Sequence, residues 1–300
     1  MEVTEVGLTN RRARVADFVE LTKPRITLMV LITTIVGFYM GSQKGEPWLL
    51  FLQTIPVLPL LHTIVGTALV ASGASALNQY IERDLDARMV RTRNRPLPDG
   101  RLLPNEALLF SSILSTLGTA YLVVFVNPIT GVLGLSTLAA YIFVYTPLKT
   151  RTTLCTLVGA VPGAIPPVMG WTAATGTMDL TAGALFAILF LWQMPHFFSI
   201  AWIYTEDYAR GGFIVHRSGE STGRQILLYC CALIPISVLP TLFGVTGTFY
   251  LIGAILFGFV YLAYGFALSL FRSNTHARRL LLISVAYLPA LLILMMLDKR

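Results

Sequence analysis

The sequence predicts an all-α, polytopic membrane protein: nine transmembrane helices around a central cavity, with the N-terminus cytoplasmic and the C-terminus outside. Three observations predict it. Of the 300 residues 55% are apolar and only 12% charged, and the mean hydropathy is +0.71, far from the roughly half-apolar, about one-quarter-charged make-up of a soluble domain. Nine runs approach the roughly 20 apolar residues needed to cross ~30 Å of hydrocarbon. The Lys and Arg residues fall very unequally on the two sides those runs define.

The first run, 26–42, follows a charged segment, 1–24, read as a cytoplasmic extension; residues 25–300 then form a single membrane domain. No apolar core precedes Ile26, so the first span is expected to do the targeting. The second run, 52–80, is too long for a straight crossing. Pro56 and Pro59 place its start at the interface, and its Asn78 end reaches into a polar loop. Runs at 105–126 and 129–148 are divided by Asn127-Pro128. Those at 153–174 and 181–203 carry Gly159, Pro162, Gly163, Pro166 and Pro167 in the first and Pro195 in the second. Helices broken at such depth are tolerated where they line protein or a cavity instead of lipid, so a buried chamber is expected. A single proline kink serves packing equally well; the cluster favours the chamber. Runs at 226–246, 249–271 and 279–297 complete the set, the first two joined tightly at Val245 to Gly247.

Nine spans put the termini on opposite sides. Of 22 Lys and Arg residues, 19 then share the N-terminal side and only Lys44, Lys299 and Arg300 the other. The positive-inside bias makes the 19 cytoplasmic. The net charge of +7 is therefore explained by topology, and no nucleic-acid partner is expected; the partner is the lipid bilayer. Three cysteines, Cys155, Cys230 and Cys231, lie in apolar runs and make neither a disulfide framework nor a metal spacing.

The polar stretch from Ala76 to Leu103 carries ten charged side chains between two apolar runs, and the catalytic loops are expected at about 78–104 and 204–224. Asn78, Glu82 and Asp86 are spaced four and four, one helix face. Such an oxygen-rich stripe suits a hard cation such as Mg²⁺, which keeps positions open for water and phosphate. Arginines follow, among them Arg91, Arg95 and Arg101, forks suited to phosphate oxygens. Acids then arginines read as metal plus diphosphate. A solvated loop obeying the positive-inside rule is the competing reading, but polar groups that continue an apolar run are costly and more often functional.

A second polar cluster runs from Trp192 to Arg217. His196 lies inside an apolar helix and could ligate a metal, move a proton or bond a neighbouring helix. Glu206 and Asp207 stand at the end of that helix, and if it is unbroken His196 and Asp207 face one way, about 16 Å apart. Tyr145 and Lys149, four apart with Arg151 beside them, can add a hydroxyl and cations to a phosphate site. A transporter with an anion site would place ionisable groups deep in several spans; here they collect at one face.

These residues carry a resemblance over nearly the whole chain. Asn78-x3-Glu82-x3-Asp86 followed by Arg91-Thr92-x-Asn94-Arg95-Pro96-Leu97, then Tyr145-Thr146-Pro147-Leu148-Lys149, then Trp192-Gln193-Met194-Pro195-His196-Phe197-Phe198 with Asp207-Tyr208-Ala209-Arg210-Gly211-Gly212, resemble the intramembrane prenyltransferases of the UbiA type, within them the haem-farnesylating branch (protohaem IX farnesyltransferase, haem O synthase). Where the wider superfamily usually has Asp this chain has Glu82, and His196 stands where a second aspartate-rich motif begins. That departure fits the haem-modifying branch. The resemblance implies farnesyl transfer from farnesyl diphosphate to the 2-vinyl group of haem B, with water addition, giving haem O; another acceptor, such as a quinone precursor, is the alternative. It also implies Asn78, Glu82, Asp86, Arg91, Arg95 and Asp207 as catalytic, and Mg²⁺ on Asn78, Glu82, Asp86, Glu206 and Asp207. Diphosphate falls to Arg91, Arg95, Tyr145, Lys149 and Arg151, and haem, a substrate, to His196. The expected home is the bacterial cytoplasmic (inner) membrane, as a multi-pass protein, with haem A synthase or a terminal oxidase assembly downstream.

Overall fold

The computed structural model describes residues 14–42, 56–214 and 219–300. Lys44, Arg217, the start of the second predicted run and most of the predicted N-terminal segment lie outside them. Among the described residues nine helices are long and apolar enough to cross a membrane. They are α1 (Pro24–Gly41), α2 (Val57–Asp86), α3 (Pro104–Phe125), α4 (Pro128–Leu148), α5 (Cys155–Thr175), α6 (Leu180–Ile203), α7 (Glu220–Leu242), α8 (Thr248–Phe271) and α9 (Asn274–Leu297). A short helix, Thr205–Arg210, follows α6. Apolar side chains such as Leu117 and Val124 on α3, Phe249 and Phe259 on α8 and Leu282 on α9 point outward and are exposed. In a bilayer that outer surface meets lipid.

The centre is held by close backbone approach. A Cβ added at Gly37 of α1 would lie 1.9 Å from the Pro167 carbonyl oxygen of α5, and one at Gly170 of α5 would lie 1.9 Å from that of Thr34 in α1. The two helices therefore cross with small residues in contact, the packing that works without a hydrophobic drive between spans. α5 bends at Ile165, between Pro162 and the Pro166-Pro167 pair. α6 runs without interruption through Pro195, so only one of the two proline-bearing helices is broken as expected.

Two boundaries depart from the hydropathy pattern in ways that shape the site. α2 continues to Asp86, 30 residues or about 45 Å, because its last turns bury Asn78, Glu82 and Asp86; the loop begins only at Ala87. α6 ends at Ile203, and Tyr204 leaves the helical region at φ −106°, ψ 24°. Thr205 Oγ1 donates back to the carbonyls of Ala201 at 2.7 Å and Trp202 at 3.0 Å, the kind of side-chain competition that ends helices. Asp207 thus sits on a separate short helix, so the unbroken helix on which a common facing of His196 and Asp207 depended is not present.

Candidate active site

Each polar group of the α2 stripe meets a cation from a different part of the chain. Lys23 Nζ donates to Asn78 Oδ1 at 3.0 Å, Lys149 Nζ to Glu82 Oε1 at 2.6 Å and Arg95 to Asp86 Oδ2 at 2.6 Å. Asn78 in turn donates to Thr146 Oγ1 at 3.3 Å. The three stripe side chains are almost fully buried, and each has a cation within hydrogen-bond distance, the pairing that a buried polar or charged group requires.

Local chain geometry explains how the cations arrive. Lys23 caps α1 in the left-handed region, φ 48°, just ahead of Pro24. In α4, residues Ala140–Tyr145 form a π-helical segment closed by the Thr146 N–H on the Tyr141 carbonyl. Pro147 cannot donate to the residue four before it, which favours this wider turn. The segment presents Tyr141 and Tyr145 to one cavity, which Lys149, just past the end of α4, also lines, with the Lys149 ammonium 4.5 Å from the centre of the Tyr145 ring. Burial pulls the Lys149 ammonium down, but the Glu82 carboxylate outweighs it and its pKa ends above the usual lysine value. Lys23 goes the other way. Burial, then the positive charges of Arg95 and Lys149, lower it to about 7 against the opposing pull of Glu82 and Asp86.

The second polar cluster folds over this group. Asp207 accepts from the backbone N–H groups of Val90 at 2.9 Å and Arg91 at 3.4 Å, so the loops after α2 and α6 are stitched together. The Arg91 guanidinium lies over the rings of Tyr204 at 5.7 Å and Tyr208 at 5.9 Å. Ile214 donates its N–H to the Lys149 carbonyl at 2.7 Å. The cavity, about 250 Å³, is lined by the stripe and its cations and by Phe197, Ile200 and Ala201 of α6. That is slightly below the ~300 to 1,000 Å³ common for small-molecule pockets. A lining that combines cations with apolar side chains suits an amphiphile bearing an anionic head.

Residues 30–288 match the model of the UbiA prenyltransferase family. The chain belongs to that family. A relative from Solibacter usitatus (strain Ellin6076), named protoheme IX farnesyltransferase, is 50% identical over 287 residues, 94% of this chain and 98% of the relative. The solved digeranylgeranylglyceryl phosphate synthase structure superposes with TM-score 0.79 at 17% identity, covering 95% of this chain and 98% of that one. A UbiA homologue from Archaeoglobus fulgidus, solved with GPP and Mg²⁺, gives TM-score 0.61 at 14% identity over 93% of this chain and 99% of that one. At such identities the two structures speak for the UbiA fold alone.

Not every residue predicted for a UbiA site comes to the cavity. Arg151 is exposed and does not line it. The Glu206 side chain is 91% exposed and faces Arg210. His196 turns to α9, where its Nδ1 lies 2.7 Å from Ser284 Oγ, and its ring stacks on Trp192 with centroids 5.3 Å apart. Lys23, Tyr141 and Tyr208 do line the cavity and were missed as site residues. Tyr141 stands one turn before Tyr145, and the Lys-Pro pair at the start of α1 was the available sign for Lys23.

The donor set fits a hard divalent cation. Asp86 Oδ1 is buried without a hydrogen-bond partner, which is uncommon for a buried acceptor, and Asn78 and Glu82 add only oxygen, the donors Mg²⁺ prefers. Among the described residues no three His, Cys, Asp or Glu side chains converge; Lys149 and Arg95 stand at Glu82 and Asp86 instead.

Proposed function

We propose that this chain transfers a farnesyl group from farnesyl diphosphate to the 2-vinyl group of haem B, with addition of water, releasing diphosphate and haem O. The observation that carries the reading is the cavity at the end of α2, where three cations and the oxygen stripe meet an apolar wall. The name of the Solibacter relative, 50% identical over 94% of this chain, supports the donor and the acceptor.

Arg91, Arg95 and Lys149, with Lys23, hold the diphosphate and stabilise the negative charge that grows as the allylic carbon–oxygen bond breaks. Tyr145 supplies a hydroxyl in the same cavity. Mg²⁺, when held by Asn78, Glu82 and Asp86, supplies further electrostatic stabilisation of the leaving group. Asp207 serves by fixing the Arg91 backbone, and Glu206 and Arg151 take no part. Phe197, Ile200 and Ala201 line the same cavity and keep water from the allylic carbon. The vinyl carbon of haem forms the new carbon–carbon bond, and one water adds to the resulting cation with loss of a proton. His196 is assigned to haem.

In this reading residues 1–24 are a cytoplasmic segment and 25–300 one domain, the polar end faces the cytoplasm, and the C-terminus lies outside. The home is a bacterial inner membrane, with haem A synthase or a terminal oxidase assembly taking the product. The test is to incubate the purified protein in lipid with farnesyl diphosphate and either haem B or 4-hydroxybenzoate and to weigh the products. Farnesylated, hydrated haem is expected; a prenylated ring and unchanged haem would assign the quinone-precursor alternative.

A further inference from the structure

Arg101 lies outside the cavity, on the loop between α2 and α3, yet its guanidinium makes four hydrogen bonds. Its Nε donates to Asp99 Oδ2 at 3.0 Å. One terminal nitrogen donates to Asp17, and the other to Glu20 Oε2 at 3.1 Å and the Asn94 carbonyl at 2.7 Å. All three nitrogens are engaged, and two of the partners lie in the helical segment 14–21 that leads into α1. A second ion pair, Arg14 with Glu106, ties the same segment to the start of α3.

Beneath the ions is an apolar cluster of Leu21, Ala76, Leu97, Leu102 and Ala107, with Phe18 packed against it. Gln79, fully buried on α2, donates to the Leu21 carbonyl at 2.8 Å. The cluster joins two pieces of chain that each deliver a cation to the cavity. Lys23 stands two residues after Leu21, and Arg95 two residues before Leu97. Lys23 also keeps a left-handed backbone, φ 48°, a conformation that persists in a non-glycine residue only where its surroundings hold it.

We infer that Arg101 is a positioning residue: it latches segment 14–21 onto the α2–α3 loop and so sets Lys23 and Arg95 together against the diphosphate. Exposed ion pairs singly contribute little. Four simultaneous contacts from one planar fork share its ordering cost and fix the relative placement of two segments. The inference rests on the diphosphate reading above, and a misplacement of about 1 Å is enough to cost ~10²-fold in rate.

The experiment uses the full chain in nanodiscs and measures inorganic pyrophosphate binding by calorimetry in the presence of Mg²⁺, alongside KM for each substrate. Arg101→Gln should weaken pyrophosphate binding and raise KM for farnesyl diphosphate by roughly ten- to a hundredfold, leaving KM for haem unchanged. Arg101→Lys, which keeps the charge and loses the fork, should recover only part of it. If Arg101→Gln binds pyrophosphate as the wild type does while Arg95→Gln does not, the latch is wrong and the diphosphate site stands. If Arg95→Gln also binds normally, the diphosphate reading falls and takes the latch with it. Equal rises in both KM values would make Arg101 a general structural residue and overturn the inference. Should Arg101→Gln fail to fold, Glu20→Gln at the half-exposed partner carries the same expectation at smaller size.

Discussion

Lys149 Nζ lies 2.6 Å from Glu82 Oε1, joining the end of α4 to the buried stripe of α2 across 67 residues of sequence. Their side chains are 16% and 5% exposed, so neither charge is solvated well enough to stand alone. Removing one partner of such a pair is far more costly than removing both. Lys149→Met should therefore destabilise the protein by about 3 kcal/mol, seen as a lower thermal midpoint in detergent. Glu82→Gln combined with Lys149→Met should restore the midpoint while activity stays lost. Recovery of activity in the double variant would remove both residues from the diphosphate site.

Asp86 divides its work between two oxygens. Oδ2 takes the Arg95 bond at 2.6 Å, whereas Oδ1 is buried and unpartnered. Asp86→Asn keeps an oxygen for Arg95 and puts an amide where the free acceptor was. Folding should be intact, and turnover should fall by roughly 10²-fold or more. A rate near the wild type, with the thermal midpoint unchanged, would remove the metal assignment.

The same oxygen chemistry predicts the response to chelation. EDTA should abolish turnover and Mg²⁺ restore it. Ca²⁺ should restore it poorly, since it is larger and takes six to eight looser ligands. Full-speed alkylation of haem in EDTA would end the metal-assisted reading.

The nine spans were legible because crossing a bilayer demands a length and composition that local sequence must supply. The spacing of Asn78, Glu82 and Asp86 was legible for a similar reason, since helix geometry alone sets it on one face. What sat beyond local pattern is the pairing. Lys23 reaches Asn78 across 55 residues, and Asp207 bonds the Val90 backbone across 117. Hydropathy also ended α2 early, where its charges begin, because it does not register that Glu82 and Asp86 are neutralised by Lys149 and Arg95. The turn at Tyr204 rests on a hydroxyl, Thr205 Oγ1, bonding back along the chain, and apolar periodicity carries no trace of that.

Packing at the centre should be intolerant of volume. At Gly170 an added Cβ would meet the Thr34 carbonyl oxygen at 1.9 Å and the Phe38 nitrogen at 2.6 Å, both backbone atoms that cannot rotate away. Gly170→Ala should push α1 off α5 and destabilise by about 1 to 3 kcal/mol, read from the thermal midpoint. At Gly183, where nothing lies within 4 Å of an added Cβ, the same change should be neutral or slightly stabilising, as alanine favours the helix.

His196 offers a sharper question than its position in the sequence suggested. Its Nδ1 is engaged with Ser284 Oγ at 2.7 Å, and Trp192 beside it donates its indole N–H to the Ser284 carbonyl at 2.8 Å. A hydrogen bond at one ring nitrogen sets the role of the other, so on the proposed assignment of His196 to haem the iron would meet Nε2. His196→Ala should then shift the Soret band of haem-loaded protein and raise KM for haem while KM for farnesyl diphosphate holds. Ser284→Ala, which frees the ring to rotate, should move the Soret band in the same direction by less. An unchanged spectrum in both variants, with normal KM for haem, would make His196 a helix-packing residue whose bond to α9 is its whole function.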